Sequence, residues 1–184
     1  MNKALFLDRD GIINVDHGYV HKIEDFEFVD GIFDLCRLAV SKGYQIFVIT
    51  NQAGIARGYY DKVTFETLSN WMVDVFNDQG ITVSKVYYCP HHPSKGVNEF
   101  VMPCNCRKPE PGMIIQAQQE FSLDLTESIF IGDKPSDMQA ASNAGIKTRI
   151  LIDSRYTNEP HKVQLSDIIK LDALNQASNY LKYC

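Results

Sequence analysis

The sequence has no run approaching ~20 consecutive apolar residues, so nothing in it reads as a membrane-spanning helix and no membrane partner is expected. It has no block of basic residues either. Eighteen Lys and Arg stand against 23 Asp and Glu, a net charge of −5, which is a poor basis for gripping a nucleic-acid backbone. The start, MNKALFLDRDG, turns acidic after too short an apolar run to be a secretory signal, so a cytoplasmic protein is expected. Internal repeats, low-complexity tracts and interdomain linkers are missing. One domain over residues 1–184, and a monomer, are therefore expected. Cysteines are few and odd in number: Cys36, Cys89, Cys104, Cys106 and Cys184. Without an export signal, that count argues against a disulfide framework.

What is present is ordinary globular material, 45% apolar and 22% charged. Ala4 to Leu7 is a short apolar run that stops at Asp8, as a buried parallel strand does at its carboxyl end. Further strands are predicted over 45–49, 83–88, 128–131 and 148–152. Helical spacing of apolar residues predicts helices over 31–42, 61–79, 111–121 and 135–144, several stopped by glycine. A weaker strand–helix pair is expected over 167–182. The alternation predicts an α/β fold: a three-layer, Rossmann-like parallel sheet with helices on both faces. In such sheets ligands sit beyond the carboxyl ends of the strands. That directs attention to Asp8-Arg9-Asp10-Gly11, Thr50-Asn51-Gln52 and Gly132-Asp133-Lys134.

Asp8 and Asp10 lie two apart, so their side chains point the same way if the strand continues. Converging carboxylates repel unless a hard cation such as magnesium lies between them. Asp133 can supply a third carboxylate, with Asp137 one helical turn on. A single Asp more often caps a turn or helix; acidic residues at two separate strand ends favour a site. Thr50 and Asn51 offer a hydroxyl and an amide, Gly54 and Gly58 bracket a loop, and Arg107, Lys108 and Lys134 add positive charge. An anion pocket beside a metal pocket is what phosphoryl transfer requires.

DRDG at 8–11, TNQAGIARG at 50–58, CRKPEPGM at 106–113 and GDKPSDM at 132–138 resemble, in order, the four motifs of the haloacid-dehalogenase superfamily of phosphatases. The resemblance runs from Ala4 to about Ile152. Within the superfamily it points to the D-glycero-D-manno-heptose 1,7-bisphosphate 7-phosphatases and the related histidinol-phosphate phosphatases. It implies Asp8 as nucleophile forming an aspartyl-phosphate, and Asp10 as acid and then base. Magnesium would be held by Asp8, Asp133 and the backbone carbonyl of Asp10. Thr50 and Asn51 would bond phosphoryl oxygens, Lys108 would balance charge, and Asp137 would orient Lys108 or the metal's water. Ile12 follows DRDG, where Thr or Val is usual in the family.

Cys89 and His91, then Cys104 and Cys106, form C-x-H, twelve residues, C-x-C. Three thiols and an imidazole suit a closed, structural zinc site, which would anchor a loop of about residues 89–110 that lacks either period. A redox dithiol or unconnected cysteines are the rival readings; C-x-C is not the usual redox spacing. The family pattern selects His91 rather than His92. Cys36 falls on the apolar face of a helix and reads as core, and Cys184 is terminal.

The superfamily's large cap domains insert after the first or third strand, and neither interval here has room, so the resemblance implies an essentially capless enzyme. Its substrate would be a small phosphorylated sugar. Holding a second phosphate needs charge remote from magnesium, for which Arg107 and Lys134 are candidates, with Arg57 behind them. Asp16-His17-Gly18-Tyr19 matches a family segment that contacts substrate, and Gln52 completes the candidate binding residues. Heptose bisphosphate leads and histidinol phosphate follows. Lipopolysaccharide core synthesis in the cytoplasm is the implied setting. Two other classes stay open: a non-catalytic zinc module, which would not need Asp8, Asp10, Lys108 and Asp133 together, and a mutase, which would need a cap to exclude water.

Overall fold

The structure, a computed structural model, describes residues 2–155 and 167–182; Cys184 lies outside the described residues. Six strands form one parallel sheet: β1 (Lys3–Leu7), β2 (Tyr44–Asn51), β3 (Val83–Cys89), β4 (Ile129–Gly132), β5 (Thr148–Ile152) and β6 (Ile169–Leu171). The spatial order is β3-β2-β1-β4-β5-β6. The chain leaves β1 in one direction and returns on its other side at β4. The crevice at that reversal is where a parallel sheet receives a ligand.

The central strands are continuously apolar because both faces are covered. Leu5, Leu7, Ile46 and Val48 point to one side, against α1 (Ile32–Ser41), α2 (Lys62–Asp78) and a 3₁₀ helix, Leu174–Tyr180. Ala4, Phe6, Phe47, Ile49 and Phe130 point to the other, against α3 (Gly112–Phe121) and α4 (Pro135–Asn143). Cys36 is buried on α1, and Ile12 is buried in the core beside Ile13. The predicted three layers are present.

Two local expectations change. The first strand does not continue past Leu7: the carbonyl of Arg9 accepts the N–H groups of Ile12, Ile13 and Asn14, and the chain turns at Gly11 with φ 97°. Asp8 and Asp10 therefore do not share a strand face. The second strand is longer than predicted, because Asn51 still pairs with Cys89 of β3; Thr50 and Asn51 lie inside β2 rather than beyond it. Residues 8–31 hold one 3₁₀ turn, Ile23–Asp25, and residues 90–111 hold no helix or strand. Neither interval carries a covering domain.

Candidate active site

The ends of β1 and β4 bring together Asp8, Asp133 and Asp137, each contributing a carboxylate oxygen within 4.8 Å of the others. All three are nearly fully buried, as is Lys108. The Lys108 ammonium donates to Asp8 Oδ1 (2.8 Å) and the Ile49 carbonyl (2.8 Å), and lies 2.6 Å from Asp137 Oδ1. Three acceptors match its three donors. Burial works against its charge, but Asp137 and Asp8 outweigh that and hold Lys108 protonated above its usual range. Asp137 also caps α4, with Oδ2 accepting the Lys134 N–H.

Both hydrogen bonds of the Asp8 carboxylate, from Arg9 N–H and Lys108, fall on Oδ1. Asp133 Oδ1 is buried without a hydrogen-bond partner. An orphaned carboxylate oxygen beside a second carboxylate is the donor set a hard divalent cation takes. Its cost is visible in proton affinity. Burial, with Asp8 and Asp137 nearby, pushes Asp133 up to about 8. Burial and Asp137 push Asp8 up to about 6 against the pull of Lys108. A Cβ at Gly11 would collide with the Asp133 carboxylate and one at Gly132 with Asp137, so both close approaches need glycine.

The Asp10 carboxylate faces away from this cluster. It is gripped by Arg9 through Nε (3.1 Å) and Nη2 (2.9 Å), and it accepts from Asn14 (3.1 Å) and Gln52 Nε2 (3.1 Å). The Arg9 guanidinium is itself buried and reaches the Val20 carbonyl. Gln52 also donates to the Thr50 hydroxyl at 2.9 Å. Asn51 is committed elsewhere: its amide accepts from Lys108 N–H (3.0 Å) and donates to the Lys108 carbonyl (3.1 Å). In this arrangement the Asn51 side chain forms a clasp on the backbone that aims Lys108.

Above these groups opens a cleft of about 650 Å³, with Asp10, Asn51, Gln52 and Lys108 in its wall. Asp16, Gly18 and Tyr19 reach it from one side, Arg57 and Tyr60 from the loop after β2, and His92 and Arg107 from the loop after β3. Lys134 lies between, 3.4 Å from Asp16; Asp8, Asp133, Asp137 and Asp16 raise its proton affinity despite burial. His17 does not join them. Its ring turns to Glu27 (3.1 Å), outside the cleft lining.

Cys89, His91, Cys104 and Cys106 converge with ligand atoms within 4.8 Å of one another. Cys106 Sγ is 3.1 Å from Cys89 Sγ, 3.4 Å from Cys104 Sγ and 3.3 Å from His91 Nδ1. Cys89 Sγ is 3.6 Å from both Cys104 Sγ and His91 Nδ1. Edges of about 3.7 Å belong to a tetrahedron of zinc–sulfur bonds, so the set could hold zinc with little adjustment. Burial, with Lys62, keeps His91 below its ordinary pKa, in the neutral form that ligates. His92 Nδ1 instead accepts Ser94 and Lys95 N–H groups, at 3.2 and 2.8 Å.

A HAD-hydrolase-like family model matches residues 105–167. The chain is 49% identical to D-glycero-beta-D-manno-heptose-1,7-bisphosphate 7-phosphatase of Yersinia pestis, over 81% of this chain and 79% of that one. It is 53% identical to D-glycero-alpha-D-manno-heptose-1,7-bisphosphate 7-phosphatase of Burkholderia mallei, over 84% of this chain and 82% of that one. The chain belongs to the heptose-bisphosphate phosphatase family of HAD hydrolases. Among solved structures, a HAD-like phosphatase from Mesorhizobium loti superposes with a TM-score of 0.84 at 33% identity, covering 100% of this chain and 88% of that one. The D,D-heptose 1,7-bisphosphate phosphatase of B. bronchiseptica, complexed with magnesium and phosphate, gives 0.82 at 27% identity, with 97% of each chain covered.

In this HAD phosphatase several site residues carried no usable sequence signal. Arg9, inside the DRDG motif, is a buried brace for Asp10 rather than a surface charge. Asn14, Tyr60 and His92 reach the site or the cleft through turns whose geometry no periodicity announces, and Ser136 reaches it from the first turn of α4. Hints lay in position alone: Arg9 and Ser136 fall inside the quoted motifs, and Tyr60 follows the glycine-bracketed loop after β2.

Proposed function

We propose that this phosphatase removes the 7-phosphate of D-glycero-D-manno-heptose 1,7-bisphosphate. One observation carries the reading: Lys108, in the cleft wall, clamps one oxygen of the buried Asp8 and leaves the other without a hydrogen bond, while Arg57 and Arg107 line the same cleft for a second phosphate. The names of the relatives supply the sugar.

Asp8, Asp133 and the Asp10 carbonyl would hold magnesium, for which the orphaned Asp133 oxygen speaks. The ion would offset the repulsion between carboxylate and phosphoryl group. The unclamped oxygen of Asp8 bonds to phosphorus as the bond to the sugar oxygen breaks. That oxygen keeps the electron pair and takes the proton from Asp10. Water then attacks the aspartyl-phosphate, returns a proton to Asp10 and frees inorganic phosphate. Lys108 neutralises charge throughout, held in line by Asn51. The Thr50 hydroxyl, the Asn51 and Gln52 backbone and Lys134 supply the remaining phosphoryl contacts, with Asp16, Gly18 and Tyr19 on the sugar. Cys89, His91, Cys104 and Cys106 would hold zinc, which would fix the loop that carries Arg107 and Lys108; Arg107 Nη1 donates to the His91 carbonyl at 3.2 Å. Four cysteines outside any disulfide, Cys36, Cys89, Cys104 and Cys106, suit the reducing cytoplasm.

The test is phosphate release by the purified protein with magnesium, from both anomers of heptose bisphosphate and from histidinol phosphate. At least one anomer should exceed histidinol phosphate in kcat/KM by about 100-fold, a margin two well-placed charge contacts can supply. Equal or reversed values would overturn the substrate.

A further inference from the structure

The Asp10 carboxylate is oriented from a direction that none of the four strand-end motifs contains. Tyr60, half-buried at the end of the loop after β2, lies so close to Gly54 that a Cβ there would run into the edge of its ring. The ring also stacks on the His21 imidazole, with centroids 4.9 Å apart and planes 10° from parallel. Held this way, the Tyr60 hydroxyl donates to Gln52 Oε1 at 2.5 Å.

That bond settles which end of the Gln52 amide points where. Once Oε1 accepts from Tyr60, Nε2 faces Asp10 Oδ2 (3.1 Å) and Thr50 Oγ1 (2.9 Å) as a donor. Reversed, the amide would set a carbonyl oxygen against the Asp10 carboxylate, a repulsive pairing. Burial holds the phenol well above its ordinary pKa, so it remains a donor.

We propose that Tyr60 is a positioning residue for proton transfer at Asp10, acting through the Gln52 amide, with Gly54 as the seat of its ring. The inference rests on Asp10 being the acid of the reaction above. In that step the sugar oxygen leaves with the electron pair of the broken P–O bond and needs the Asp10 proton. A nitrophenolate leaves without one. Misorienting Asp10 should therefore slow the sugar ester and spare the activated ester.

The experiment compares kcat/KM of Tyr60→Phe, Gly54→Ala and Asp10→Asn on heptose bisphosphate and on p-nitrophenyl phosphate. This quantity reads only through the first irreversible step, formation of the phosphoenzyme. Tyr60→Phe removes one hydroxyl and should lower the sugar value about tenfold, the worth of one oriented hydrogen bond, while the nitrophenyl value stays within about twofold. Gly54→Ala should show the same split, at least as large. Equal losses on both substrates, or none, overturn the proposal and make Tyr60 a packing residue. If Asp10→Asn splits the substrates and Tyr60→Phe does not, only this inference falls. If Asp10→Asn shows no split, the assignment of Asp10 as the acid falls and this inference with it.

Discussion

Cys106 and Lys108 are two residues apart, yet they belong to clusters built on opposite principles. Asp8, Asp133 and Asp137 are carried on strand and helix ends and packed into the interior, so their positions follow from the sheet, while Lys108 joins them from irregular chain clasped by Asn51. Their arrangement is expensive. Two carboxylates, Asp8 and Asp137, share one buried ammonium, and Asp133 beside them has an oxygen with no hydrogen-bond partner. Cys89, His91, Cys104 and Cys106 sit mostly on irregular chain, where residues 90–111 form no regular element. What can hold that loop is the convergence of its own side chains, the Arg107 bond to the His91 carbonyl within it, and the Asn51 clasp that ties it back to the sheet. The packed fold imposes strain on the first cluster for chemistry. The second can relieve strain by taking a metal.

The sharpest way to separate them is Asp8→Asn. Removing the nucleophile should lower turnover by about 10³-fold or more, the scale seen when a nucleophile is deleted. Circular dichroism and zinc content should be unchanged. Retained activity would break the covalent mechanism, and lost zinc would show the clusters are one unit.

Cys104→Ser should do the converse. Zinc measured by atomic absorption should fall below about one per chain. Losing a structural metal of this kind costs several kcal/mol, and a loss of about 3 kcal/mol would lower Tm by about 10 °C. Magnesium binding at the strand ends should survive. An equally zinc-loaded, equally stable variant would refute the metal centre.

The smallest effect concerns pH. Asp133 and Asp8 are pushed up to about 8 and about 6 when folded, whereas unfolded carboxyls titrate near ~4. Without magnesium the folded protein thus holds protons that the unfolded chain has released. The stability from these groups is present at low pH and is lost as pH rises from about 4 to about 8. Magnesium removes the penalty by stabilising the ionised form. Its addition should therefore raise Tm more at pH 8 than at pH 5, by a few degrees in scanning calorimetry. An increment independent of pH would show that the orphaned oxygen of Asp133 is not where the ion binds.

Much of this was legible in the sequence because it depends on local rules. Apolar runs stopping at Asp8 and Asp133 reported strands buried on both faces, and Gly43, Gly80 and Gly145 marked helix stops. The C-x-H and C-x-C spacing reported the soft-ligand cluster, since such ligands are short-range and specific in type. Side-chain commitments were not legible. Asn51 turned out to serve the Lys108 backbone and His17 to pair with Glu27. Both are decided by partners 57 and 10 residues away.

By itself the sequence determined the kinds of groups present and the strand ends that carry them, because period, β-branching and ligand type are properties of short segments. Tertiary structure alone decided which carboxylate meets which cation. Asp10 lies two residues from Asp8, yet it faces Arg9 and Gln52, while Asp133 and Asp137 arrive from the end of β4 and the helix after it. The turn at Gly11 and the pairing of β1 with β4 separate near neighbours in sequence and join distant ones, and electrostatics responds only to distance in space.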